Sequence, residues 1–574
     1  MKTQPGAFFI LGLGLAATGL ALRAQTVGSA GTQGTSIPAQ TSADIHVLSP
    51  YVVNDSKIPK WEGELLGEDW IMVKSKHFTV LAQTSTIRDQ TTGQETGQVV
   101  RLETQLEQFY RGLETTGIAV RSSLTMVLFA SDFDFDRYSP TPIAKLDHPP
   151  GYIVDAPHID LLADTFEAAT DWESSAPTSG VAGSTADNGS LYNPANDGKK
   201  SYHRKPLSAE ADEALDREKR LQELIARWYF GASNLAVPAW MQGGLAEVYY
   251  TSQAADSTHN IIGLAPPDDV KILQAGAARR LAESNGQPLT QDAESWLLVR
   301  YLIFGMKPGG NDRIVRFLQL LNSPQAPSAF QTAFGESFAE AERKAGKYFA
   351  NNPPKGYKVD VPQEDGSTPI QPSDAPKADV QLALGSLLFY RSPDDAYPLL
   401  RAAADDNYRA WEVLGDLAHL NKDDGKAGGY FQKAIDSGSG DYLDYYELAM
   451  ARVGLLGKHP DGSFDLKIDA DPSMKLLRRA IELRPDFEPA YEGLASLVGA
   501  AGTVTKADVA ALENGLHLAP DSLMLAAGRD IAEMKTGQRD EGLRALNQLL
   551  ADHPEAIPLA NSVHSFLQAN ETGH

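Results

Sequence analysis

The chain has 574 residues, with 51 Lys plus Arg against 75 Asp plus Glu and no cysteine. That length allows three or four domain equivalents, and 42% hydrophobic with 22% charged residues is ordinary globular composition. Disulfides, thiolate zinc sites, iron–sulfur clusters and a cysteine nucleophile are excluded, and a net charge of −24 argues against a nucleic-acid partner.

The N-terminus carries Lys2, then an uncharged apolar stretch from Ala7 to Leu22, then Arg23-Ala24-Gln25-Thr26. This pattern predicts a secretory signal over residues 1–24, cleaved after Ala24, and it is short for a membrane span. Removing Lys2 and Arg23 with it leaves 49 basic against 75 acidic side chains, a net charge of −26. An exported protein, periplasmic or extracellular, with no integral span after cleavage is therefore expected. Residues 25–60 form a leader whose first part is rich in Gly, Ser, Thr and Gln, too polar to build a core.

Ordered sequence is expected from Trp61. Trp70–Val73 and His77–Leu81 have strand composition, Val99–Leu113 has helical spacing through Val100, Leu102, Leu106, Phe109 and Leu113, and Leu124–Phe129 is a buried-strand candidate. Tyr152–Val154 and Ile159–Leu162 add two more strands, so α+β is the expected class. Asp132, Asp134 and Asp136 alternate without the glycine and glutamate of a calcium loop and are expected to face solvent. Residues 170–206, rich in Ser, Gly, Asn and Asp, form an expected flexible insertion. Helices are expected from Leu207 to about Asn351, and the Pro-rich stretch 352–377 is the expected linker.

After that stretch the sequence repeats itself. Trp411, Leu414 and Gly415 are followed by Ala427, Phe431 and Ala434, a large residue with Leu-Gly on one helix and small–aromatic–small on the next. Tyr445, Leu448 and Ala449 restart the pattern 34 residues on, and Tyr491, Leu494 and Ala495 restart it again. Pro485, Pro520 and Pro554 follow at spacings of 35 and 34, each after an expected second helix. These offsets resemble the tetratricopeptide repeat, with about five units over 378–570 in an all-α solenoid over 378–574. The resemblance implies a concave face that binds a protein or peptide. By helical phase, Arg409, Glu412, Asp416, Glu492 and Ser496 are the groove candidates.

A second resemblance lies upstream. Leu221-Gln222-Glu223-Leu224-Ile225-Ala226 precedes Val237-Pro238-Ala239-Trp240-Met241-Gln242-Gly243-Gly244-Leu245-Ala246-Glu247. The pair is similar to the gluzincin (peptidase MA-like) domains of secreted bacterial proteins, over residues 61–351. In that family two histidines one helical turn apart and a downstream glutamate hold zinc, and a glutamate beside the first histidine acts as general base. Here the positions corresponding to those ligands are Gln222, Ala226 and Gly243, and only the general-base position survives, as Glu223. None of the twelve histidines stands three to five residues from another. The resemblance therefore implies a degenerate peptidase-like domain without zinc or other cofactor, in a non-catalytic scaffold. The alternative is a zinc hydrolase using rearranged ligands, with Glu223 as base. Glu247, one turn past Gly243, is placed to reach inward.

Overall fold

The computed structural model describes residues 70–83, 92–120, 123–139, 151–165, 221–233, 235, 237–256, 258–264, 267–284, 289, 292–306, 310–321, 328–351, 356–361, 371–455 and 470–553. The expected signal, leader and flexible insertion lie outside them. The described residues fall into two units, one drawn from 58–155 and 159–391, the other from 156–158 and 392–574.

In the first unit the strands are β1 (Trp70–Lys74), β2 (Phe78–Gln83), β3 (Leu124–Phe129), β4 (Tyr152–Ala156), β5 (Ile159–Thr165), β6 (Gln253–Asp256), β7 (His259–Ile262), β8 (Tyr357–Asp360) and β9 (Pro372–Asp374). Six form one sheet in the order β4-β5-β3-β2-β1-β9. β3 runs parallel to both β2 and β5, and β1 is antiparallel to β2 and β9. The central position of β3 explains its unbroken run Leu-Thr-Met-Val-Leu-Phe. All six residues are buried, as expected of a strand covered on both faces. Helix α1 (Thr92–Glu114) packs on β1 and β2 through Val99, Leu102, Leu106, Phe109 and Leu113, so the stripe starts at Val99 rather than Val100.

Three expectations need adjustment. Asp132, Asp134 and Asp136 lie on a short helix, α2 (Asp132–Tyr138), capped by the Ser131 hydroxyl, which accepts from the Asp134 N–H, and Asp134 and Asp136 are half-buried rather than facing solvent. The mainly helical stretch after Leu207 is interrupted by β6 and β7, which join β8 in a three-stranded antiparallel sheet. The Pro-rich stretch 352–377 also holds two strands. β8 pairs with β7, and β9 extends the large sheet beside β1. Proline cannot donate to an interior ladder, but Pro372 stands on an edge strand, where that donor is dispensable.

Helix α3 (221–231) and α4 (Ala239–Tyr249) are followed by α5 (Asp292–Arg300), α6 (Asn311–Leu321) and α7 (Phe338–Asn351). Helix α8 (Lys377–Leu387) packs on β5 and belongs to this unit. α4 and α5 cross closely because Gly244 has no side chain. A Cβ there would stand 2.5 Å from the Ser295 carbonyl oxygen.

The second unit contains α9 (Pro393–Ala403), α10 (Arg409–Leu420), α11 (Asp424–Asp436), α12 (Tyr442–Leu455), α13 (Asp471–Leu483), α14 (Glu488–Leu497), α15 (Lys506–Leu518), α16 (Leu523–Lys535) and α17 (Arg539–Asp552). From α9 to α17 each helix packs against the next. The signature residues do what their sizes suggest. The Phe431 ring lies where a Cβ on Gly415 would be, Ala427 and Ala434 are fully buried beside it, and Trp411 stacks on Tyr430. Pro485 and Pro520 fall just beyond α13 and α15. Pro554 lies outside the described residues. Among the described residues no helix is long and apolar enough to cross a membrane.

Candidate functional site

The peptidase-like positions come together on α3 and α4. Gln222 and Ala226 are buried on α3, Ala226 within the apolar core. Glu223, one residue past Gln222, is about one-third exposed and paired with Arg227. Gly243 on α4 faces α5, where a Cβ would stand 3.3 Å from Asp292 Oδ1. Glu247 does reach inward and is only 6% exposed.

A guanidinium lies among these carboxylates. Arg227 donates from Nε to Glu223 at 2.8 Å, and from Nη2 to Glu247 and to Asp292, each at 3.1 Å. Burial would depress the arginine, but the charges of Glu223, Glu247 and Asp292 reverse that and hold it protonated. Glu247 is pushed well above the usual carboxylate range by burial, then by the charges of Asp269 and Glu223, with Arg227 opposing.

Do these residues fit the zinc that the resemblance implies? They do not. Ala226 and Gly243 offer no donor, and the three converging carboxylates are already spanned by a fixed cation. No group of three His, Asp or Glu side chains suited to a metal ion occurs among the described residues. Sequence reasoning identified Glu223 and Glu247. It missed Arg227, whose only signal was its i, i+4 spacing from Glu223, and Asp292, which is distant in sequence.

In the second unit, three of the five groove candidates converge. Arg409, Glu412 and Asp416 line one face of α10, three and four residues apart, about one turn each. Asp444 and Glu447 on α12 complete the set. Glu412, Asp416, Asp444 and Glu447 are 2%, 5%, 0% and 6% exposed. They surround His158, which arrives with the short segment 156–158. Its Nδ1 lies 2.8 and 2.9 Å from the two Asp416 oxygens, and its Nε2 lies 3.4 Å from Asp444 Oδ1. The ring tilts over Phe431 at 5.5 Å, and Arg409 donates to the His158 carbonyl at 2.8 Å.

Burial alone would lower the imidazole, but the charge and hydrogen bonds of Asp416, then Asp444 and Glu412, push it up to about 10. Asp444 is raised to about 8, mainly by burial, with His158 opposing and Glu412 reinforcing. Burial likewise raises Glu447 to about 7. The pocket is therefore acidic, dry and filled by one cation.

Glu492 and Ser496 on α14 are elsewhere. Glu492 accepts from the Ser522 hydroxyl at 2.8 Å, and Ser496 returns its hydroxyl to the Gly493 carbonyl at 2.7 Å. Both are engaged inside the array. His158 was invisible from sequence, because it lies 258 residues from Asp416.

No protein-family model matches the chain, and no curated protein matches it. Among solved structures it is similar to YrrB, a TPR protein with an unusual peptide-binding site. The match has 15% identity, covers 33% of this chain and 92% of that one, and has a TM-score of 0.27. It is also similar to a thermophilic TPR protein of Thermus thermophilus. There the identity is 20%, the match covers 33% of this chain and 99% of that one, and the TM-score is 0.20. Both neighbours are TPR proteins. The repeat reading itself rests on the helix pairs and the Gly415–Phe431 crossing.

Proposed function

We propose that the protein is an exported, non-catalytic scaffold whose tetratricopeptide-type repeats bind a protein or peptide on their first-helix face. One observation carries this reading. Arg409, Glu412 and Asp416, together with Asp444, gather around a three-residue peptide segment, with a cation held by carboxylates and a backbone carbonyl held by an arginine. A face that takes a cationic side chain and a main-chain carbonyl from the turn between β4 and β5 has groups that could take the same features from a peptide. The peptidase-like reading of the other unit is of a carboxylate cluster spanned by an internal guanidinium in place of a metal, and the pattern of residues 1–24 supports export.

The test is an unbiased peptide array probed with the full-length mature chain. Discrete hits weakened by Asp416→Asn support the reading, and an array without hits overturns it. Recovery of protein beginning at Gln25 from the periplasm or medium tests export. In the competing reading, a zinc hydrolase on rearranged ligands, Arg227 must leave the three carboxylates it now spans. Stoichiometric zinc, with peptidase activity lost in Glu223→Gln, would replace our reading with that one.

A further inference from the structure

The turn between β1 and β2 ends at His77, and one face of α1 runs along its ring. Glu107, Tyr110 and Glu114 stand three and four residues apart on that helix, about one turn each. Glu107 lies at one edge of the imidazole, with Oε2 2.8 Å from Nδ1. Tyr110 stacks against the ring, with centroids 3.9 Å apart and planes 15° from parallel. Glu114 lies at the other edge, with Oε1 4.0 Å from Nε2.

These contacts decide which nitrogen carries the proton. Glu107 also accepts the Ser75 hydroxyl, and the His77 backbone N–H at 2.9 Å. Burial opposes its charge, but the hydrogen bonds from His77 and Ser75 outweigh burial and hold it below the usual carboxylate range. An ionised carboxylate only accepts, so Nδ1 must donate, and in the neutral ring Nε2 keeps the lone pair. Among the described residues Nε2 makes no hydrogen bond, since 4.0 Å to Glu114 is too long for one. An imidazole fixed through Nδ1 by a carboxylate, with its Nε2 lone pair uncommitted, is arranged as a metal-ligating histidine is.

Glu114 supplies a second donor. Zinc–nitrogen and zinc–oxygen bonds of about 2.0–2.2 Å at a tetrahedral angle set the two donors roughly 3.4 Å apart. The observed gap is wider by roughly half an ångström, a movement open to the Glu114 side chain, which is 36% exposed.

We propose that His77 Nε2 and Glu114 form a surface site for a divalent transition-metal ion, with Glu107 as positioning residue and water completing the coordination. Two protein ligands are fewer than a structural or catalytic centre uses, so the ion is exchangeable. The imidazole favours copper(II), then zinc, over magnesium and calcium, which prefer oxygen donors. This inference goes beyond the peptide-binding reading and does not depend on it.

The experiment titrates the full-length mature chain with zinc chloride in a non-chelating buffer. Zinc should move the Nε2 resonance of His77 while Nδ1 keeps its proton, and magnesium at the same concentration should not. Calorimetry should find one zinc more in wild type than in His77→Ala, with His77→Gln measured alongside in case His77→Ala fails to fold. Glu114→Gln removes a ligand and Glu107→Gln loosens the ring, and each should weaken the site about tenfold. Glu223→Gln should leave it unchanged, which separates it from a rearranged peptidase centre.

Equal zinc uptake by wild type and a folded His77 variant, or an Nε2 resonance that zinc does not move, overturns the proposal. A shift that magnesium reproduces also overturns it, because it marks general attraction to carboxylates. Unchanged affinity in Glu107→Gln overturns the positioning role.

Discussion

Each unit encloses a basic side chain among carboxylates, but the two solutions differ in kind. Arg227 comes from the same helix as Glu223, one turn away, and remains about one-quarter exposed. His158 comes from 258 residues away in the chain and is fully buried. The first arrangement is local, wet at its edge and permanently charged. The second is long-range, dry and titratable. Burial makes the difference, because an ion pair removed from water depends on its partner far more than one that water can rescue.

The sharpest way to break this contrast is to remove one partner of the dry pair. Asp416→Ala should destabilise the repeat unit by about 3–5 kcal/mol, since His158 is left without its main counter-charge. Urea unfolding followed by a probe in the repeats checks this. A loss near zero would place His158 in water and collapse the comparison.

Alkaline titration should separate the two sites next. The groups facing His158 are Asp416, Glu412 and Arg409 from α10, with Asp444, Glu447 and the nearby His419 and Asp441. His158 is raised from its ordinary 6.5 to about 10. Its contribution is complete below about 6.5 and is lost as pH rises through about 10. Asp444, raised to about 8, acts in the same direction, because its protonated form favours the folded pocket. The repeat unit should therefore loosen between pH 7 and 10 by up to a few kcal/mol. Amide exchange at α10 and α12 should rise over that range, while Arg227 keeps its charge throughout.

Arg227→Met should cost less, about 1–2 kcal/mol, because Glu223 and Asp292 regain water and Glu247 takes up a proton. Thermal unfolding of the sheet unit measures it. The smallest effect is expected from Arg227→Lys, under about 1 kcal/mol, where charge is kept but the fork spanning three carboxylates is lost. A loss for Lys as large as for Met would make geometry, rather than charge, the main contribution of Arg227.

Much of the repeat unit was legible because its signals are local. Gly415 and Phe431 announce their crossing by size, and Arg409, Glu412 and Asp416 share a helix face at fixed spacing. Glu492 and Ser496 satisfied the same phase rule but are bonded within the array, since phase gives direction and not the nearest neighbour. His158 carried no signal, because nothing in Pro157-His158-Ile159 encodes a carboxylate hundreds of residues away. Asp444 could have been found from its place in the first turn of the next first helix. In the sheet unit, β3 was plain from its apolar run. β8 and β9 were hidden by brevity and flanking prolines. Glu247 was placed correctly by helical phase, whereas Asp292 needed the α4–α5 crossing that Gly244 permits.

The edge strand β9 bears on the order of folding. β1 ends at Lys74 and its partner β9 begins at Pro372, so the large sheet is incomplete until nearly 300 residues of chain have followed β1. The repeats, by contrast, pair helices that are neighbours in sequence. Contacts between near neighbours form quickly, and those across long separations form slowly. As the chain emerges, the helix pairs should close within moments of appearing, while the sheet that precedes them in sequence waits for its last edge. The part of the molecule made first is thus expected to finish late.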